Sequence, residues 1–152
     1  MPSEKPMRLA VVGLGRVGLA CADLIARSHD LTVTALVRRP SSGLNGIPEQ
    51  HRHIPVATYA GQARESEGAL ICVPTTVAGD LASQMLRLGV PIVDCATLHG
   101  DAFERHKAAL HALARRHKTV AIVGAGWDPG LLSILRSWLA LLTPGGATDT
   151  IH

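Results

Sequence analysis

The fold is decided by Gly13-Leu14-Gly15-Arg16-Val17-Gly18, a glycine-rich run between two apolar segments. The segment before it, Arg8–Val12, is a short apolar run typical of a buried strand, and the segment after it, Leu19–Arg27, has apolar residues at helical spacing. A strand, a glycine turn and a helix in this order form the dinucleotide-binding fingerprint. Gly13 permits the tight turn, Gly15 lets a pyrophosphate approach the backbone, and Gly18 lets the helix pack closely on the strand.

The start of this helix is suited to phosphate. Free N–H groups at a helix N-terminus point outward, and the helix dipole favours negative charge there. The sequence therefore predicts a nucleotide site in which Gly13, Gly15, Arg16, Val17 and Gly18 contact the cofactor. The alternative is a glycine turn that packs a helix on a sheet and holds no ligand.

The second β-prone run, Thr32–Val37, indicates which dinucleotide is bound. An NAD site carries an acidic residue about 20 positions after the glycines, on the ribose 2′-hydroxyl. Here that position is Arg38, and Arg39 follows it. An arginine binds a 2′-phosphate through charge-assisted hydrogen bonds, and Ser41 and Ser42 add hydroxyl donors. We therefore predict NADP; the alternative is a solvated basic loop at a strand end.

Composition excludes several classes of function. The chain has 152 residues and 47% hydrophobic residues, enough for one domain with its own core. Only 3% of residues are aromatic, which argues against binding of single-stranded nucleic acid through base stacking. The net charge is +3, and the basic residues are scattered along the chain. The polar N-terminus is not a signal peptide, and no apolar run is long enough for a bilayer, so we expect a cytoplasmic protein without membrane or nucleic-acid partners.

Cysteine and histidine usage gives no metal site. Cys21, Cys72 and Cys95 lie in apolar runs without paired or metal-like spacing and are predicted to be buried thiols of a cytosolic protein. His51 and His53 lie in a polar loop without a third ligand at a suitable spacing, so we predict no metal.

Strands and helices alternate along the chain, which predicts an α/β fold, a Rossmann-type doubly wound parallel sheet. We expect a disordered tail over 1–7, an NADP-binding domain over 8–130, and a helix and strand over 131–152 that lead toward an absent C-terminal domain. Thr75 or Thr76 is expected to cap one helix and Gly89 to end it. The carboxyl ends of the strands meet at one edge, which should gather the loops Gly13–Gly18, Val73–Thr76, Asp94–Asp101 and Gly124–Gly130.

Several of these loops are distinctive. They read Leu70-Ile71-Cys72-Val73-Pro74-Thr75, Val93-Asp94 followed by His99-Gly100-Asp101, and Gly126-Trp127-Asp128-Pro129-Gly130. Together with the glycine run and Val37-Arg38-Arg39, they make the chain resemble the meso-diaminopimelate dehydrogenase family over almost its whole length. The resemblance covers the cofactor half of that family, whose members are about twice as long, use NADP and act as dimers on the D-centre of meso-diaminopimelate.

The resemblance implies a role for each matching residue. Arg38 and Arg39 match the 2′-phosphate site, and Pro74, Thr75 and Thr76 match the loop beside the nicotinamide ribose. Asp101 and Asp128 match aspartates that hold the substrate's D-amino group, and Trp127 belongs to the same turn. Carboxylates suit that task because they bind an ammonium ion and stabilise the positive charge of a developing iminium.

Two departures leave alternatives open. Thr97 stands where the family commonly has an aspartate, which puts substrate preference in doubt. The missing half would supply the homodimer surface and much of the recognition of the amino-acid substrate. A non-catalytic NADP-binding module therefore remains an alternative to an amino-acid dehydrogenase, and another imine reductase is a weaker one.

Structural roles are also open for the acids and histidines. Asp101 suits a helix cap, Asp128 before Pro129 suits the start of a helix, and Asp94 suits a turn. His106 and His117 are expected on the solvated face of one helix.

Overall fold

The computed structural model describes residues 5–42 and 45–143. Its core is a six-stranded, fully parallel sheet in the order β3-β2-β1-β4-β5-β6, which is the strand order of a doubly wound dinucleotide-binding fold. The Rossmann-type prediction is confirmed. The strands are β1 (Met7–Val12), β2 (Leu31–Val37), β3 (Val56–Ala57), β4 (Gly68–Ile71), β5 (Ile92–Asp94) and β6 (Ala121–Val123). The helices are α1 (Arg16–Ala26), α2 (Thr75–Arg87), α3 (Gly100–Arg116) and α4 (Leu132–Leu142).

The two faces of the sheet carry separate cores, because successive side chains of a strand point to opposite faces. On one face Ala10 and Val12 of β1 pack with buried residues of α2 and α3, among them Met85 and Leu110. On the other face Leu9 and Val11 pack beneath α1 and the segment after β2. The core of the first face includes the buried residues Ala10, Val12, Ala35, Val37, Ala69, Ile71, Ala78, Ala82, Met85, Leu86, Ile92 and Leu110. The core of the second face consists of Leu9, Val11, Ala22, Ile25, Leu36, Ile47 and Ile54.

The ends of the helices correct several expectations. Gly89 ends α2 with φ of 77°, in the left-handed region, as predicted. Neither threonine caps that helix, because Pro74 is its N-cap and Thr75 is already helical. Asp101 does not cap α3 either, since the N-cap is His99. The carboxylate of Asp101 instead lies in the first turn, where the helix dipole favours negative charge.

The chain after β6 departs from a simple strand-to-helix connection. Asp128 has φ of −146° and Pro129 has ψ of 149°, so neither opens a helix, and α4 begins only at Leu132. None of the described side chains of α4 is buried. The row formed by Leu70, Val93 and Ile122 across β4, β5 and β6 ends in an isoleucine that is 54% exposed. In the described part of the chain, the Ile122 face of β6 is therefore left without a covering helix, whereas α3 packs on the opposite face with Ala121 and Val123.

Met7 already belongs to β1, so the first strand begins inside the predicted tail of 1–7. The strand expected near the C-terminus lies outside the described residues. The division into a domain over 8–130 and a following segment stays a prediction. Within the described ranges, no helix combines the length and the apolar character that crossing a membrane requires.

Candidate functional site

The carboxyl edge of the sheet holds a pocket of about 550 Å³. It lies where β1, β2 and β4 end, at the point where the strand order reverses direction, which is the usual ligand position in such sheets. Four segments line it, from the glycine loop, the end of β2, the end of β3 and the start of α2: Val12, Gly13, Leu14 and Gly15; Val37, Arg38, Arg39, Pro40 and Ser42; Thr58 and Tyr59; Cys72, Val73, Pro74, Thr76, Val77 and Leu81.

The three glycines of the loop differ in what they do. A Cβ added at Gly13 would lie 2.5 Å from the carbonyl oxygen of Cys72, and one added at Gly18 would lie 1.9 Å from the carbonyl oxygen of Gly13. These two glycines are therefore required by the close packing of strand, turn and helix. A Cβ at Gly15 would have no atom of another described segment within 4 Å. The space beside Gly15 is open and belongs to the pocket.

The start of α1 borders this space. Gly15 is its N-cap, and this position makes no side-chain capping hydrogen bond. The carbonyl of Gly15 accepts the N–H of Leu19 at 2.9 Å, so the helix begins directly at the pocket. Arg16, Val17 and Gly18, the other predicted cofactor contacts of this loop, lie in the first turn of α1 and not in the pocket lining.

Both predicted phosphate-binding arginines line the pocket. The backbone N–H of Arg38 donates to the carbonyl of Ala57 at 2.9 Å, which fixes the residue beyond the end of β2. Its guanidinium donates through Nη1 to the carbonyl of Asn45 at 2.9 Å, while its buried Nε has no hydrogen-bond partner among the described residues. A buried donor without a partner is costly, so a pocket ligand that accepts from it would be stabilised there. Arg39 is exposed.

The segment before α2 divides into two roles. Pro74 and Thr76, two of the predicted cofactor contacts, line the pocket. Thr75 does not, because its hydroxyl donates to the carbonyl of Thr97 at 3.4 Å and so connects α2 to the loop after β5. Tyr59, which is 60% exposed, also lines the pocket and was missed from the sequence. Its position after β3, at the same sheet edge, is the signal that would have indicated it.

The predicted catalytic residues lie outside this lining. Asp101 is exposed in the first turn of α3, Trp127 is 60% exposed, and the carboxylate of Asp128 lies 4.0 Å from Nη1 of Arg136. They come from the loops after β5 and β6, which end at the same edge as the pocket.

Two contacts connect these loops. The N–H of Ala125 donates to the carbonyl of Asp94 at 3.0 Å, which joins the turn after β6 to the end of β5. A Cβ added at Gly124 would lie 3.3 Å from the ring of Phe103 and 3.6 Å from Pro129. The first turn of α3, which carries Asp101, therefore packs on the turn that carries Asp128.

Asp94 is a structural residue. It is 1% exposed, and its Oδ1 accepts the N–H of Ala96 at 3.0 Å, as the turn reading predicts. Its Oδ2 lies 2.5 Å from Nε2 of His106. His106 is therefore not on the solvated face of α3, as the sequence suggested; its side chain is only 12% exposed and connects α3 to β5.

His51, which the sequence places in a polar loop, is buried. Its side chain is 1% exposed, and its Nε2 lies 2.6 Å from Oδ1 of Asp23 on α1. The hydrogen bond with His51 is the main reason why the pKa of Asp23 lies below its ordinary value. Among the described residues, no group of three His, Cys, Asp or Glu side chains has an arrangement that could hold a metal ion.

Comparison with known proteins supports the resemblance. The chain is 30% identical over 146 residues to a meso-diaminopimelate D-dehydrogenase of Bacteroides fragilis, and the match covers 96% of this chain and 48% of that protein. It is 28% identical over 136 residues to the meso-diaminopimelate D-dehydrogenase of Corynebacterium glutamicum, covering 88% and 40%. This chain is similar in sequence to part of the meso-diaminopimelate D-dehydrogenases.

The match has a defined extent. The chain spans less than half the length of these two dehydrogenases and corresponds to their N-terminal half. No protein-family model matches the chain.

Solved structures agree on the fold. A diaminopimelate dehydrogenase of C. glutamicum in complex with DAP superposes with a TM-score of 0.73 at 24% identity, over 90% of this chain and 41% of that one. An engineered D-amino acid dehydrogenase bound to NADP⁺ superposes with a TM-score of 0.75 at 25% identity, over 91% and 42%. The chain therefore has the fold of the corresponding part of these dehydrogenases.

Proposed function

We propose that this chain is the cofactor-binding part of an NADP-dependent oxidoreductase that acts on the CH–NH₂ group of an amino acid. The substrate class we propose is meso-2,6-diaminopimelate, deaminated reversibly at its D-centre. The observation that carries the proposal is the single pocket lining shared by the glycine loop, Arg38, Arg39 and Pro74. The relationship to meso-diaminopimelate D-dehydrogenases and the likeness to an NADP⁺-bound D-amino acid dehydrogenase support it.

The residues present fit NADP. The open space beside Gly15 leaves room for the diphosphate against the backbone at the start of α1. The guanidinium of Arg38, whose Nε has no partner in the described part of the chain, and the exposed Arg39 supply positive charge for the 2′-phosphate. Pro74 and Thr76 would flank the nicotinamide ribose from the start of α2. NADP⁺, when bound, supplies the hydride acceptor.

The substrate's amino group would be held by carboxylates. Asp101 and Asp128 come from neighbouring loops at this edge, and the Phe103–Gly124 packing fixes those loops relative to each other. A carboxylate binds the ammonium ion, removes a proton from it, and stabilises the positive charge that develops as hydride leaves the α-carbon. Thr97 adds a hydroxyl where a third carboxylate is common, so we propose weaker ammonium binding. Trp127 would provide an apolar wall in the same turn.

A second candidate function is a non-catalytic NADP-binding module. One observation favours it: the pocket gathers predicted cofactor contacts, whereas the predicted catalytic residues Asp101, Trp127 and Asp128 lie outside its lining. Assembly as a homodimer and a cytoplasmic location stay predictions of the sequence.

One pair of measurements tests both functions. Calorimetric titration with NADPH and NADH measures cofactor binding, and absorbance at 340 nm measures NADP⁺ reduction with meso-diaminopimelate. Binding of NADPH together with turnover supports the dehydrogenase. NADPH binding without turnover supports the module, and no binding of either nucleotide rejects both. D-lysine and L-lysine serve as substrate controls, since only the D-centre should react.

A further inference from the structure

Three half-buried cysteines meet on one face of the sheet. Cys72 directly follows β4, Cys95 directly follows β5, and Cys21 lies on α1, which covers that face. The thiol of Cys72 is within hydrogen-bonding reach of both Cys21 and Cys95. The sequence predicts three separate buried thiols, whereas the fold brings the three side chains together.

The register of the two strands places Cys72 beside Cys95. Ile71 and Asp94 are paired across the parallel strands β4 and β5, so the residues that follow them, Cys72 and Cys95, lie opposite each other. The N–H of Cys95 donates to the carbonyl of Ile71 at 3.1 Å, which continues the ladder to this position. Neighbouring strands are about 4.8 Å apart. That separation falls within the range of about 4.4–6.8 Å that a disulfide requires between Cα atoms.

The thiol of Cys95 is the more reactive of the pair. The hydrogen bond from Cys72 lowers the pKa of Cys95 to about 7, against an opposing effect of burial and of the Asp94 charge. The same hydrogen bond raises the pKa of Cys72, and burial raises the pKa of Cys21. Since the thiolate is the nucleophile, Cys95 would react first near neutral pH.

We propose that Cys72 and Cys95 form a thiol-oxidation site, which a hydroperoxide converts into a reversible disulfide. The Cys95 sulfur attacks the peroxide, an S–O bond forms, the O–O bond breaks, and the departing oxygen takes up a proton. The Cys72 sulfur then attacks the sulfenic sulfur of Cys95, an S–S bond forms, and water leaves with the Cys72 proton. The two thiols lose two electrons and the peroxide gains two.

The position of this site ties it to the pocket. Cys72 lines the pocket, and its carbonyl oxygen packs against Gly13. Cys21 can reach Cys72 but is the poorer nucleophile, so it is expected to remain a thiol during the first oxidation. The oxidation itself requires no bound nucleotide and is independent of the proposed enzymatic function.

Peptide mapping tests the proposal on the whole chain. Hydrogen peroxide is added at pH 7.5, remaining thiols are blocked with N-ethylmaleimide, and the protein is digested with trypsin. The three cysteines fall in separate peptides, 17–27, 65–87 and 88–105, so each pairing has its own mass. The expected product is the 65–87 peptide joined to the 88–105 peptide, lost on treatment with dithiothreitol, with Cys21 alkylated.

Variants make the outcome decisive. Cys21→Ser should form the same cross-link, whereas Cys72→Ser should leave Cys95 as a sulfenic acid, trapped by dimedone. Circular dichroism verifies that each variant is folded. A cross-link between 17–27 and 65–87, a cross-link between two chains, or the survival of all three thiols at a peroxide concentration that oxidises free cysteine would overturn the proposal.

Discussion

Gly18 packs so closely on Gly13 that a Cβ added to Gly18 would lie 1.9 Å from the carbonyl oxygen of Gly13. Gly15 lies between them in sequence, and a Cβ added to it would have no atom of another segment within 4 Å in the part of the chain that the structure describes. The glycine run therefore combines two requirements. Gly13 and Gly18 allow the turn and helix to pack, whereas Gly15 keeps the surface of the pocket clear.

Gly15→Val separates these requirements. Gly15 has φ of −78° and ψ of −170°, an extended conformation that valine adopts without strain, so the variant should fold like the wild type. Its side chain would occupy the space proposed for the diphosphate, and NADPH affinity should fall roughly tenfold or more, which is about 1.4 kcal/mol. Calorimetry and thermal melts measure both effects. The matched variant Gly18→Ala should instead lower the melting temperature, and unchanged NADPH binding by Gly15→Val would contradict the cofactor site.

Arg38→Asp tests the choice of dinucleotide. The substitution replaces a donor for the 2′-phosphate with a repelling charge, so the preference for NADPH over NADH should shift by about 1–3 kcal/mol, the scale of a charged hydrogen bond. Arg39→Asp should give a smaller shift, because Arg39 is exposed. The control is Arg87→Asp, at the end of α2 that is remote from the pocket. A preference that is unaltered in both test variants would reject the arginine site.

Asp101→Asn and Asp128→Asn test the proposed ammonium site. Both residues lie outside the pocket lining, so NADPH affinity should stay within about twofold of wild type. Deamination of meso-diaminopimelate should fall by about tenfold or more in each variant, since a group that stabilises developing charge is removed. Asp80→Asn, an exposed carboxylate on α2, is the control. Equal turnover in all three variants would show that the two aspartates have no part in catalysis.

His106→Ala removes a hydrogen-bond partner of a buried carboxyl. Asp94 is 1% exposed, and leaving a buried polar group without its partner costs about 1–3 kcal/mol. Urea unfolding should show a loss near the lower end of that range, because His106 retains some solvent contact. His111→Ala, an exposed histidine of the same helix, should change stability by less than about 0.5 kcal/mol. Similar midpoints for the two variants would mean that the Asp94–His106 contact contributes little.

Local patterns were enough for the fold and for most of the pocket. The glycine run, the β-prone segments and Gly89 each act through backbone geometry, which depends on residue type and nearest neighbours. Arg38 and Arg39 were found for the same reason, because a fixed offset from the glycines places them at the sheet edge.

Contacts between distant segments could not be predicted in this way. The sequence predicts His106 on a solvated face of α3. Asp94 reaches it only because α3 packs beside the end of β5 in the folded chain. The sequence predicts His51 only as a residue of a polar loop, and its hydrogen bond to Asp23 of α1 depends on the tertiary fold. The pairing of Cys72 with Cys95 depends on the register of β4 and β5, which no local pattern encodes.

The Asp23–His51 pair predicts how stability responds to acid. The pKa of Asp23 in the folded chain lies below its ordinary value of 3.8, because His51 hydrogen-bonds to the carboxylate. The folded state therefore binds the proton less readily than the unfolded state. The stabilisation that this provides is fully present above the unfolded pKa of about 3.8, and it is lost as the pH falls through the folded pKa. Asp23→Asn removes this contribution. Between about pH 5 and about pH 3 the wild type should therefore lose more unfolding free energy in urea than the variant does. Asp30→Asn keeps the pair and should follow the wild type, and parallel acid profiles for Asp23→Asn and wild type would refute the linkage.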